Sequence, residues 1–348
     1  MVASLTTLLP TLLSHTGKAA DTPSAVTPRS IPAGVVPVPD TVSPELQTRI
    51  AAPYPSDWDI IPETASAWRD LAARSAAEVI PHLAAIRQRL NIDVRSAQIS
   101  GVPVFVVTPA DMPPSNRDRL LLHVHGGGYV LYPGEAGAGE AMLVAGYGRF
   151  RVVSVDYRMA PDFPFPAALD DAMAVWRALL REHDPRKMAI FGSSAGGGLT
   201  MAMILKAKAE GLPLPAAIAP GTPWVDLTGA GDSMMTNAYV DNVLVAGSGW
   251  AGAAAALYAA GHDRRDPLLS PIFGDFSGFP PAILTSGMRD LFLSNTARAH
   301  RKLRRAGVDS SFQVFEGQSH AQFLDLFVPE TEEAFAETTL FLTRHLDS

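Results

Sequence analysis

Gly192-Ser193-Ser194-Ala195-Gly196 places a serine at the centre of a G-x-S-x-G pattern, with the apolar run Met188-Ala189-Ile190-Phe191 before it and the stretch 199–209 (LTMAMILKAKA) after it. The run has the length and composition of a buried strand, and the stretch reads as a helix that stops at Gly211. A strand, a tight turn and a helix make a nucleophile elbow. The small residues flanking Ser194 let the backbone turn sharply and hold its hydroxyl above the sheet edge, with the helix N-terminus behind it. The positive end of that helix favours the negative charge formed in acyl transfer. Because patterns of Gly, Ser and Ala also arise in ordinary glycine-rich turns, the elbow needs a second motif beside it.

That motif lies upstream. Leu120-Leu121-Leu122-His123-Val124-His125 reads as another buried strand and runs into Gly126-Gly127-Gly128-Tyr129. Consecutive glycines after a strand expose backbone N–H groups, since glycine adopts φ/ψ values that side chains block. With the N–H of Ala195, those of Gly127 and Gly128 would form a preorganised hole for the oxyanion of a tetrahedral intermediate, Gly126 shaping the loop. The alternative is a flexible loop with no such role.

With these motifs the chain, from about residue 92 to the C-terminus, resembles the hormone-sensitive-lipase-like (bacterial type IV) esterase branch of the α/β-hydrolases. The resemblance extends through Asp156-Tyr157-Arg158-Met159-Ala160-Pro161 and Phe163-Pro164-Phe165-Pro166-Ala167-Ala168-Leu169-Asp170-Asp171. It departs from the family at Ser193, a position often held there by Asp or Thr. The resemblance implies an α/β-hydrolase fold, a mainly parallel central sheet flanked by helices, with a helical cap.

A serine hydroxyl is a poor nucleophile at neutral pH, so it needs a base within reach and a carboxylate to fix that base's tautomer. The expected chain order is Ser, acid, His. His320 follows the last expected strand through Glu316-Gly317-Gln318-Ser319, where the fold places its base. His123 and His125 belong to the oxyanion strand and its end, and His183, His262, His300 and His345 fall on helices or loops as structural or surface residues. For the acid, Asp290 follows the strand 282–286 at a C-terminal strand end. Glu316 and Asp325 lie nearer His320 in sequence, but proximity along the chain does not make a buried partner. Ser286-Gly287-Met288-Arg289-Asp290-Leu291 also resembles the family's acid-bearing segment. The expected catalytic set is Ser194, Asp290 and His320. This chemistry requires no cofactor and no metal.

The 348 residues suffice for one large α/β domain or two smaller ones. A 47% hydrophobic and 18% charged composition is that of a globular protein. The formal charge of −7 argues against a nucleic-acid partner, which would need a clustered basic face. The basic run 298–305 reads as a solvated helix face. There is no cysteine, which excludes disulfides, thiolate catalysis and Cys-based metal sites. No stretch has the roughly 18 to 20 apolar residues of an integral membrane segment. Residues 5–13 form a short apolar run, but Pro10 interrupts it and no Lys or Arg precedes it, so the cytoplasm is favoured over export. The partner expected is a small-molecule ester; a homodimer is left open.

Residues 1–41 read as an extended arm, or a weak export signal, rich in Thr, Ser, Ala and Pro. Residues 42–91 read as an N-terminal helical cap segment, with Ser43-Pro44 opening a short helix and 64–90 forming a longer one bent near Pro81. Residues 92–348 are the expected catalytic domain, starting with a hairpin of strands 94–99 and 102–108. Strands at 151–156, 216–219, 282–286 and 312–315 then alternate with helices at 167–181, 294–306 and 331–345, the pattern of a parallel sheet covered on both faces. The pattern breaks at about 224–262, read as a cap insertion with Met234, Met235, Tyr239 and Trp250 as pocket-wall candidates. The stretch Gly134-Glu135-Ala136-Gly137-Ala138-Gly139 invites a nucleotide-binding reading, but it lacks G-x-G-x-x-G order and reads as a loop or helix start. The triad expected for an ester would equally serve an amidase, lactonase or deacetylase, because the pocket selects the substrate. A non-catalytic receptor on the same fold would be expected to lack a triad member.

Overall fold

The computed structural model describes Ser30 and residues 32–346. The expected arm falls mostly outside the described residues, as do the apolar run 5–13 and the export reading built on it. Ser30 and residues 32–37 carry no helix or strand.

The described residues from Val38 to Leu346 form one compact unit. In chain order its elements are α1 (Pro44–Ile50), α2 (Ala65–Leu90), β1 (Ile92–Ile99), β2 (Val102–Pro109), β3 (Leu120–Val124), α3 (Gly139–Gly148), β4 (Arg151–Val155), α4 (Ala167–Leu179), β5 (Met188–Ser193) and α5 (Ala195–Ala209). They continue with β6 (Ala217–Gly221), α6 (Ser233–Thr236), α7 (Trp250–Ala259), β7 (Ala282–Gly287), α8 (Leu293–Arg305), β8 (Ser310–Phe315) and α9 (Pro329–His345). The strands form one 8-stranded sheet in the order β1-β2-β4-β3-β5-β6-β7-β8. Pairings β1/β2 and β2/β4 are antiparallel, and the rest are parallel.

Side chains alternate across the sheet. Leu120, Leu122 and Val124 of β3, with Met188 and Ile190 of β5, enter a core that also holds Trp176 of α4, Met203 of α5 and Leu303 of α8. Leu121 of β3, with Ala189 and Phe191 of β5, enters a second core with Leu83 of α2, Met142 of α3 and Phe341 of α9. The period of two sends neighbouring residues to opposite faces, and each face is roofed by helices, so β3 and β5 are apolar apart from His123 and the glycine-serine end of β5.

The expected strands and long helices are present, with two differences. Helix α5 begins at Ala195 rather than at residue 199, taking in Gly196, Gly197 and Gly198 although each has a helix propensity about 1 kcal/mol poorer than Ala. Close packing explains them: a Cβ on Gly196 would lie 2.0 Å from the Val124 carbonyl oxygen, and one on Gly198 2.3 Å from that of Trp224. Helix α3 was not expected. It holds three glycines, and at Gly146 a Cβ would meet the Leu90 side chain at 2.6 Å. The 134–139 stretch is a short 3-10 turn leading into α3, as its sequence implied.

At the N-terminal helices, the Ser43 hydroxyl accepts the Leu46 N–H at 3.1 Å, a cap of about 1 kcal/mol. Glu330, in the first turn of α9, accepts both the Ser43 N–H and its hydroxyl at 2.8 Å, so the cap also ties α1 to α9. Helix α2 is capped by Thr64 and is continuous through Pro81.

Candidate active site

Ser194 sits between β5 and α5 with φ 59° and ψ −122°, a left-handed corner that no regular element permits. It is locked there by three backbone bonds. Its N–H donates to Gly221 at 2.9 Å, and its carbonyl accepts from Gly198 at 3.0 Å and Trp224 at 2.8 Å. Such a turn can lie against β3 only because its flanks lack side chains: a Cβ on Gly192 would lie 1.9 Å from the Val124 oxygen.

The glycine loop after β3 faces this corner. A Cβ on Gly126 would lie 2.9 Å from the Ser193 carbonyl oxygen and 3.4 Å from Ser194 Cβ. Gly127 and Gly128 have φ of 96° and 63°, and Gly127 turns the loop by accepting from Val130 and Leu131. Among the described residues no hydrogen bond consumes the N–H of Gly127, Gly128 or Ala195. Three donors are therefore free where the sequence expected them, beside the positive end of α5.

His125 holds the start of this loop from behind. Its ring stacks on Tyr157 at 4.1 Å, and Nδ1 lies 2.8 Å from the Gly126 carbonyl oxygen, an acceptor, so Nδ1 carries the proton. The Tyr157 hydroxyl donates to the His125 carbonyl at 2.6 Å. Burial pushes the His125 imidazole down to about 3 against the opposing pull of the Gly126 carbonyl, so it is neutral at physiological pH.

His320 lies in the loop after β8 and Asp290 in the loop after β7, both buried. His320 Nδ1 is 2.9 Å from Asp290 Oδ1. The same carboxylate accepts from the Phe292 N–H at 2.7 Å, the Ser286 hydroxyl at 2.7 Å and the Thr222 hydroxyl. The Phe292 ring packs edge-on against the imidazole at 4.8 Å. Of the sequence's other acid candidates, Glu316 is exposed and Asp325 pairs with Arg49 at 2.6 Å.

Ser193, Ser194, His320, Gly126 and Gly127 line one cavity of about 510 Å³. Among the described residues the Ser194 hydroxyl makes no hydrogen bond to the imidazole; such contacts commonly tighten only around a bound substrate. Leu83 and Ile86 of α2 and Leu244 and Trp250 of the 224–262 segment are among its walls. Of the four wall candidates, Trp250 reaches this cavity and Met234 a neighbouring one, whereas Met235 and Tyr239 are 80% and 59% exposed and line neither.

Two carboxylates escaped the sequence reading. Asp241 is buried with four backbone N–H donors: Val243 at 2.8 Å and Leu244 at 3.1 Å on Oδ1, Leu291 at 2.9 Å and His320 at 3.3 Å on Oδ2. Burial raises its pKa, helped by the Asp290 charge. Glu140 of α3 accepts the Ser193 hydroxyl at 2.7 Å and lies 3.3 Å from His123, whose other ring nitrogen is 2.9 Å from the Ser154 hydroxyl. A polar chain thus backs the elbow from beneath. No sequence signal marks either carboxylate, since each meets partners 50 or more residues away, as in Asp241 to Leu291 and Glu140 to Ser193. Among the described residues no group of three or more His, Asp or Glu could hold a metal ion, and no helix is long and apolar enough to cross a membrane.

Comparison with known proteins agrees with this architecture. Residues 121–324 match a family model described as alpha/beta hydrolase fold. An acetyl-hydrolase of Streptomyces hygroscopicus is 31% identical over 66% of this chain and 77% of its own length. The crystal structure of an esterase, E25, superposes with a TM-score of 0.88 at 40% identity, covering 91% of this chain and 98% of the other. That of an esterase from the bacterial hormone-sensitive lipase family superposes at 0.72 and 30% identity, covering 87% and 99%.

Proposed function

The chain belongs to the hormone-sensitive-lipase-like branch of the α/β-hydrolase family, and on that premise we propose that it is a serine carboxylic-ester hydrolase for small to medium acyl esters. The observation that carries the reading is the meeting, in one cavity, of a strained serine corner, free backbone donors and a histidine paired through Nδ1 with a buried carboxylate.

In this mechanism Ser194 Oγ attacks the ester carbonyl while His320 Nε2 takes its proton. The N–H groups of Gly127, Gly128 and Ala195 stabilise the oxyanion. Collapse of the intermediate breaks the bond to the alcohol oxygen, which receives the proton from Nε2. Water then repeats the attack on the acyl-enzyme, releasing the acid and restoring Ser194. Asp290 holds the Nδ1–H tautomer throughout. Segments 42–91 and 224–262 act as the two parts of a cap, which the cavity lining supports because both contribute walls.

The same triad would cleave amides or lactones, so the test uses both chemistry and site. Purified protein is assayed on nitrophenyl acetate, matched amides and lactones, and separately treated with a fluorophosphonate probe. Ester turnover should dominate, and one equivalent of probe should label Ser194. Labelling elsewhere, or amide turnover outrunning ester turnover, would overturn the proposal.

A further inference from the structure

A second cavity, of about 240 Å³, adjoins the first, and Leu244 is the residue common to the two linings. Apart from Thr228 and Arg264 its side-chain lining is apolar, including Trp224, Met234, Ala255 and Phe292. Leu244 is buried, 5% exposed, and its backbone is pinned on both sides. Its N–H donates to Asp241 at 3.1 Å, and its carbonyl accepts from Ala246 at 2.7 Å. Because Asp241 also accepts from His320 and Leu291, the partition is fixed to the loops that carry the base and the acid. It is a wall, not a swinging lid.

Resting on the esterase reading, we propose that Leu244 sets the length of the alcohol arm of the ester, and that the cavity behind it is an apolar subsite which this side chain closes to longer alcohols. The direction follows from the chemistry. His320 must protonate the leaving oxygen, so the alcohol arm lies beside the imidazole. Phe292, whose ring packs against that imidazole at 4.8 Å, is itself a wall of the second cavity. Leu83 and Ile86 of α2 line the catalytic cavity and not the second one, so they stand on the opposite side from Phe292, and that side takes the acyl arm. Shortening Leu244 therefore opens space on the leaving-group side. Apolar pockets discriminate by roughly tenfold or more for a methylene that fits against one that does not.

The test compares two ester series within each enzyme: acetates of ethanol, butanol, hexanol and octanol, and ethyl esters of acids from acetic to octanoic. In Leu244→Ala, the ratio of kcat/KM for hexyl acetate to that for ethyl acetate should rise by at least about tenfold over the unaltered protein, while the acyl-length profile keeps its shape. Adding Ala255→Leu, which refills the second cavity, should cancel the gain. Leu244→Val, a milder change, should shift the ratio in the same direction if the alanine variant does not fold. An unchanged alcohol ratio, a shift in the acyl series instead, or a gain that survives Ala255→Leu would overturn the proposal. Ethyl acetate turnover by the unaltered protein reports separately on the esterase reading.

Discussion

Asp241 Oδ2 accepts the backbone N–H of His320 at 3.3 Å, so the base is held at two points: its ring by Asp290 and its backbone by a carboxylate from the 224–262 segment. All four groups bonded to Asp241 are donors, and an amide at this position would turn its own N–H groups toward some of them. Asp241→Asn should cost about 1–3 kcal/mol of stability and lower kcat on the order of a hundredfold with little change in KM, because a small misplacement of the base is expensive in rate. Denaturant melts and steady-state kinetics on the folded variant separate the two effects. Full kcat in a destabilised variant would show that Asp241 supports the fold alone.

Replacing Ser194 by Ala should lower kcat by a factor on the order of a million while leaving the melting curve intact. Ser193→Ala removes the donor to Glu140 and should cost about 1–3 kcal/mol of stability, yet retain substantial activity. Equal losses of rate in the two variants would undo the assignment of the nucleophile.

Asp290→Asn should lower kcat by roughly ten-thousandfold, since the Asn amide favours the wrong tautomer of His320, whereas Glu316→Gln should have little effect on an exposed side chain. A ranking in the opposite order, read from kcat/KM on nitrophenyl acetate, would reassign the acid.

The acid sensitivity of the fold should come in part from His125. Its folded pKa is depressed to about 3 by burial, while the unfolded chain titrates near 6.5, so the unfolded state binds the extra proton between these values. The stability it permits is present in full above pH 6.5 and is lost progressively as pH falls towards 3, on the order of 3–5 kcal/mol in total. Urea unfolding at pH 7 and pH 4 should show a large loss in the unaltered protein and a smaller one in His125→Asn, which cannot titrate but can still donate to Gly126. Parallel losses in both would place the acid sensitivity elsewhere.

Much of this architecture was legible because its signals are local. The strands 120–124 and 188–193 announce themselves by composition, and the elbow and oxyanion loop by glycines whose absent side chains Val124 and Ser193 would otherwise strike. The glycines at the start of α5 hid its N-terminal boundary, and those within α3 hid that helix altogether, because tertiary packing against Val124 and Trp224 in the first and Leu90 in the second overrides propensity there. Asp241 and Glu140 were not legible, because the partners that bury them, Leu291 and His320 for the first and Ser193 for the second, lie 50 or more residues away and a lone acidic residue looks the same at the surface. Tyr239 shows the limit from the other side: its aromatic ring suggested a pocket wall, but it packs edge-on against Trp58 at 5.9 Å and is mostly exposed.

The cavity walls favour an esterase site for small esters over an interfacial lipase. Leu83 and Ile86 come from α2, and Leu244 and Trp250 from the 224–262 segment, so the roof is joined to the sheet domain at two places in the chain. Trp250 lies within 3.0 Å of a Cβ built on Gly128, which seats the roof against the oxyanion loop itself. A roof held at these points leaves a cavity of about 510 Å³, within the range that encloses a small ligand. Turnover of nitrophenyl esters from acetate to palmitate should therefore peak at short to medium acyl chains. It should also show no jump when a longer ester passes its solubility limit. A maximum at long chains with a jump as droplets form would mean that the roof opens at an interface, and the two-point attachment would then not restrain it.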